Sequence, residues 1–161
     1  MADSSTAWHQ QQAGTGCYLC PPKVTATTDI LLIAPLSVST LYLTQDQRFR
    51  GHSVLILNDH ATALDALSPS TFTAFMEDLR RSAAAIRVAV TPDHMNIALL
   101  GNTCPHLHWA IVPRFPTDPR WGSPIWDNAT RQAMRDHPHL LPAAEYSGIA
   151  ATIASALTSS H

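Results

Sequence analysis

The sequence predicts an α+β domain with a mainly antiparallel five-stranded sheet, one long helix and a C-terminal helix. Three observations carry this. Short runs rich in β-branched and aromatic residues recur along the chain, one segment repeats apolar residues at spacings of three and four, and the loops between runs are hairpin-short. The chain has 161 residues, which suits a single domain. Its apolar share of 45% and charged share of 14% are enough for a real core and exclude a wholly disordered chain.

The elements follow in order. Met1 to Gly16 is rich in Gln, Ser and Gly and reads as a flexible tail, residues 1–16, ahead of one domain over 17–161. Asp29-Ile-Leu-Leu-Ile-Ala is short enough for a strand, and Ser37-Val-Ser-Thr-Leu-Tyr-Leu-Thr suits a second. Gly51 is a turn signal before a third strand, Ser53-Val-Leu-Ile-Leu, which runs into Asn58-Asp59-His60. Ser68 is a good N-cap, and Pro69 suits the first helical position. Phe72, Phe75, Met76, Leu79, Ala83, Ile86 and Val90 then form one stripe, and Pro92 lies beyond its end. Met95 to Leu100 and His106 to Val112 read as two further strands joined through Gly101-Asn-Thr-Cys-Pro. From about residue 115 a Pro- and Trp-rich extension looks irregular, and Ser147 to Leu157 reads as the last helix.

Composition narrows the function classes. The net charge of -2 and the lack of a basic tract argue against duplex nucleic acid as main partner. No run of about 18 apolar residues predicts a membrane span. The first residues have neither a basic start nor an apolar stretch, so no secretory signal is expected and the expected compartment is the cytoplasm. Cys17, Cys20 and Cys104 do not make a disulfide framework. Cys17-Tyr-Leu-Cys20 has the spacing of a zinc half-site, and two reduced thiols beside a tail read equally from spacing alone.

The stretch His106-Leu-His-Trp-Ala-Ile-Val draws attention next. As a strand it puts His106, His108 and Ala110 on one face, with the two imidazoles about 7 Å apart. Leu107, Trp109 and Ile111 form an ordinary core face. On pattern alone, a pair of solvent-facing histidines is as good a reading as a reactive pair.

This stretch resembles the signature of the histidine triad (HIT) family, His-φ-His-φ-His-φ-φ with φ apolar. Six of the seven positions fit, and Ala110 stands where the third His belongs. The likeness extends over roughly residues 17 to 114, through the Cys pair, the strand ending at His60, the helix and the strand bearing Asn96. Asp118-Pro119 through Pro124-Ile125-Trp126 looks like a tail found in some bacterial members.

The resemblance implies several expectations. The fold would be HIT-like, and the protein a homodimer sharing its sheet. His108 would be the nucleophile that attacks the α-phosphorus of a nucleotide or dinucleotide and forms a nucleotidyl-imidazole intermediate. A neutral imidazole is nucleophilic near pH 7, and a covalent intermediate divides one hard transfer into two easier ones. Asn96, Asn102, Thr103 and Arg114 would contact substrate, although Asn102 and Thr103 also suit a plain turn and Arg114 a solvated strand end. Cys17, Cys20, His60 and His106 would hold a structural zinc ion, with Cys104 a substitute ligand or a buried thiol. Alanine at 110 offers no donor and no titratable group. The implied function is therefore a hydrolase or transferase acting on phosphoanhydrides or phosphoramidates, or else a weak or inactive nucleotide-binding relative.

Overall fold

The computed structural model describes residues 4–20, 30–118 and 120–159. Asp29, read above as the first residue of a strand, lies outside them, as does Pro119. The elements are α1 (Ser4–Gln12), β1 (Ile30–Pro35), β2 (Ser39–Thr44), β3 (Ser53–Leu57), α2 (Pro69–Val90), β4 (His94–Leu99), β5 (His108–Arg114), α3 (Asn128–Asp136) and α4 (Ala143–Ser159). The five strands form one sheet in the order β1-β2-β3-β5-β4, with every neighbouring pair antiparallel.

The alternation of side chains divides this sheet into a packing face and a site face. Leu41, Leu43, Leu55, Leu57 and Ile111 are buried on the first, against Phe75, Leu79 and Ile86 of α2 and Ile149, Ile153 and Leu157 of α4. Directly opposed pairs mark the other face: Tyr42 with Val54, Val54 with Ala110, Ile56 with His108, and Asn96 with Val112. Two small apolar clusters cover parts of it. One gathers Cys17, Leu19, Tyr42, Ile56 and Cys104, and the other Phe49, Val112 and Ile125.

The long helix forms for the reasons its sequence suggests. Ser68 Oγ accepts a hydrogen bond from the Thr71 N–H at 3.1 Å, Pro69 opens the first turn, and Thr91 closes the helix at φ +47°. A β-branched residue at positive φ is strained; its N–H is held by the Arg87 carbonyl at 2.9 Å, and Pro92 follows. Buried Asp78 locks α2 to the β1–β2 turn, accepting from the Ser37 and Val38 N–H groups and the Ser39 hydroxyl at 3.1, 2.9 and 2.7 Å. Gly51 turns the chain into β3 at φ +85°, where a Cβ would come within 3.1 Å of the Val90 side chain.

Three features differ from the sequence reading. The β5 ladder begins at His108 and ends at Arg114, so His106 lies two residues ahead of the strand rather than within it. Its ring is engaged by groups that sequence periodicity does not see, as described below. Residues 4–12, inside the stretch read as a tail, form α1. The extension read as irregular contains α3, which Asp127 caps through the Thr130 N–H and hydroxyl at 3.0 and 2.8 Å. No helix among the described residues is long and apolar enough to cross a membrane.

Candidate functional site

Two constellations adjoin on the site face, and His106 connects them. The first is a knot of donors: one ligand atom each from Cys17, Cys20, His60 and His106, all within 4.8 Å of one another. His60 Nδ1 lies 3.3 Å from His106 Nδ1, Cys20 Sγ lies 3.3 and 3.4 Å from these two nitrogens, and Cys17 Sγ lies 3.5 Å from His106 Nδ1. Tetrahedral ligands at ordinary zinc distances would stand about 3.3 Å apart between nitrogens and about 3.6 Å between sulfur and nitrogen.

The tautomers point the same way. His106 Nε2 sits 2.7 Å from the Leu57 carbonyl, and His60 Nε2 sits 3.1 Å from the Gln12 carbonyl. A carbonyl only accepts, so each ring donates its Nε2–H outward and aims its Nδ1 lone pair inward. Two lone pairs and two sulfurs converging at these distances fit a cation. Burial, then the neighbouring rings of His60 and His108, holds the His106 pKa below its ordinary value. Cys104 Sγ lies 3.8 Å from Cys17 Sγ but is not one of the four converging donors. Burial pushes its thiol up to about 11 and the neighbouring Tyr18 phenol up to about 12.

The second constellation surrounds His108. Its Nδ1 donates to the carbonyl of His106 at 2.7 Å, so the lone pair is on Nε2, which has no hydrogen-bond partner among the described residues. Burial lowers its pKa below the ordinary histidine value, opposed in part by the bond to His106. The ring is thus neutral near pH 7. It borders a cavity of about 290 Å³ that is also lined by Tyr18, Leu100, Gly101, Asn102, Thr103, Cys104, Arg131 and Arg135. Arg135 also borders an adjoining cavity of about 410 Å³ lined by Thr44, Gln45, Asp46, His52, Met134 and Pro138.

The structure therefore brings Asn102 and Thr103 to His108, and Cys17, Cys20 and His60 to His106. It does not bring Asn96 or Arg114 there. Both border a different cavity of about 520 Å³, with His94, Trp121 and Trp126. Arg114 stands six positions from His108, about 20 Å along an extended strand. Only 3% exposed, it pairs with both carboxylate oxygens of Asp118 at 2.8 and 3.0 Å and donates to Asn96 Oδ1 and to the Ser123 and Arg120 carbonyls. Its guanidinium binds the C-terminal arm to the sheet. Arg131, Arg135 and Tyr18 are lining residues that sequence reading missed. The signal for the arginines was an i, i+4 pair, obscured because the surrounding Pro-rich stretch was read as irregular.

A small antiparallel sheet backed by a long helix, with a histidine opening onto a polar cavity and a Cys/His knot beside it, defines the class. The HIT domain family model matches residues 27–117. Among solved structures, a histidine triad protein from Sinorhizobium meliloti matches at 23% identity and TM-score 0.69, covering 79% of this chain and 89% of its own. One from Bradyrhizobium japonicum matches at 22% and 0.72, covering 84% and 95%. A zinc-bound histidine triad family protein from Mycobacterium smegmatis matches at 20% and 0.64, covering 91% and 98%. Comparison with curated proteins gives no match. The chain belongs to the HIT domain family, and that membership supports a nucleotide-binding or hydrolase-type function in general.

Proposed function

We propose that the protein is a nucleotidyl hydrolase or transferase in which His108 Nε2 attacks the α-phosphorus of a nucleoside phosphoanhydride or phosphoramidate. The observation that carries this reading is the fixed tautomer of His108. Its Nδ1–H is held by the His106 carbonyl, which leaves the Nε2 lone pair for phosphorus, and burial keeps the ring neutral. Asn102 and Thr103, at the turn of the same cavity, bind phosphate oxygens.

The same reading assigns Cys17, Cys20, His60 and His106 to a structural zinc ion. A bound ion would supply a fixed charge and tie residues 17–20 to the start of β5, holding the His106 main chain in place for His108. Thiol ligands of this kind suit a reducing cytoplasm. The edge of β4, unpaired on its outer side among the described residues and with Ile97 40% exposed, supports sheet pairing with a second copy of the chain.

The test is intact-protein mass spectrometry after brief mixing with a panel of nucleotide phosphoanhydrides and phosphoramidates. An adduct of one nucleoside monophosphate, mapped to His108 and missing in His108→Ala, is the expected result. Nucleotide affinity without adduct or turnover would favour a binding protein instead, the reading suggested by Ala110.

A further inference from the structure

Arg131 and Arg135 enter the His108 cavity from α3, outside the residues that the HIT domain matches. One turn apart, they share a face of the helix. The half-buried Arg131 donates to Thr103 Oγ1 at 3.1 Å, on the turn that leads to His108. Arg135, at the exposed rim, is oriented by Gln132 Oε1 at 2.6 Å, while the Gln132 amide holds the nearby Asp136 carboxylate at 2.8 and 2.7 Å. Among the described residues neither guanidinium is paired with a carboxylate, and no Asp or Glu lines the cavity. Like charges at this spacing repel modestly, so an anion between or beside them is favoured.

The helix that presents them is held from three sides. Arg48 donates to the Ala133 and His137 carbonyls at 3.0 and 2.6 Å, Asp127 caps the first turn, and Met134 packs against the Phe49, Val112 and Ile125 cluster. Such a mount presents guanidiniums at fixed positions, which suits their forked geometry for phosphate oxygens. On the strand itself Ala110 provides only a methyl group.

We infer that Arg131 and Arg135 form an anion clamp for the leaving group, which makes phosphoanhydrides, dinucleoside polyphosphates among them, the preferred substrates over phosphoramidates. This rests on the reading of His108 as nucleophile. As the bond from Nε2 to the α-phosphorus forms, the bridging P–O bond breaks and its electron pair stays on the departing phosphate as negative charge. Water then attacks the same phosphorus, the P–N bond breaks with its pair returning to Nε2, and the surplus water proton passes to solvent. A phosphoramidate instead releases an amine that takes up a proton and departs without added negative charge. Only the first course gives the clamp something to stabilise.

The experiment compares the wild-type chain with the Arg131→Gln/Arg135→Gln double variant in two measurements. One is kcat/KM for a dinucleoside tetraphosphate and for a nucleoside phosphoramidate. The other is calorimetric affinity for inorganic tripolyphosphate, which needs no turnover. The double variant is expected to lose at least about tenfold in tripolyphosphate affinity, and its tetraphosphate kcat/KM is expected to fall at least about tenfold further than its phosphoramidate kcat/KM. Equal loss on both substrates, or unchanged tripolyphosphate affinity, overturns the clamp. If the wild type forms no adduct and turns over neither substrate, yet its tripolyphosphate affinity still depends on the pair, the nucleophile reading fails while the anion site stands.

Discussion

The two ends of β5 carry the two side chains that attract most functional attention, and they have opposite fates. At the first residue, His108 spends one nitrogen on its own chain and, among the described residues, leaves the other unpartnered beside a cavity. At the last, Arg114 spends all three guanidinium nitrogens on protein partners and is 3% exposed. A group available for chemistry is one whose reactive atom the fold leaves unpartnered. A group whose every donor is consumed is part of the frame, however functional its residue type looks in sequence.

Exchange of one residue at each end turns this contrast into measurements. His108→Ala is expected to lower kcat by at least about 10³-fold while leaving the melting temperature nearly unchanged. Arg114→Ala is expected to do the reverse, because it strands the buried Asp118 carboxylate. It should cost about 3 kcal/mol and about 10 °C in melting temperature, with activity per folded molecule close to wild type. A stable Arg114→Ala protein that has lost turnover would return Arg114 to the site.

Chelation tests the Cys/His knot that adjoins the His108 end. If the Cys/His knot holds zinc, chelation in reducing buffer is expected to lower the melting temperature by several degrees and slow turnover through the loosened His106 main chain. Purification without chelator should yield about one zinc per chain, and metal-free protein of unchanged stability would remove zinc from the reading.

The smallest expected effect lies on the neighbouring cavity. Burial holds His52 down to about 4, against a weaker opposing pull from Asp46, and its Nδ1 has no partner among the described residues. The folded chain thus keeps His52 neutral where the unfolded chain, with an ordinary pKa near 6.5, takes up a proton. Its contribution to stability is whole above pH 6.5 and is lost as the pH falls toward 4. The slope is at most about 1.4 kcal/mol per pH unit. Urea titrations at pH 7 and pH 5 should show a smaller drop for His52→Gln than for wild type, and equal drops would place His52 in contact with solvent.

Much of this molecule was legible in its sequence where a local rule and the tertiary context agree. Ser68-Pro69 capped the helix as its residue types require, and Leu41, Leu43, Leu55 and Leu57 alternated as a packed sheet face must. The resemblance to the HIT family gathered Cys17, Cys20, His60 and His106, residues far apart in the chain that no periodicity could have joined. The failures also have physical reasons. The β5 boundary shifted because the His106 ring is engaged by the Leu57 carbonyl and the donor knot, contacts that strand alternation does not encode. The resemblance assigns Asn96 and Arg114 to substrate contact, whereas in the structure both border a cavity other than that of His108, and an extended strand puts Arg114 about 20 Å from His108. Helix α3 was hidden by flanking prolines, although Asp127 marked its cap.

The bond from His108 to the His106 carbonyl has a further consequence. The group that selects the His108 tautomer belongs to the main chain, so every residue type at position 106 carries it. Substitution there can displace the carbonyl but cannot delete it. Variants at 106 should therefore grade activity by how far they let the backbone drift, and a residue that keeps the path of the chain would keep the tautomer even after the imidazole is gone.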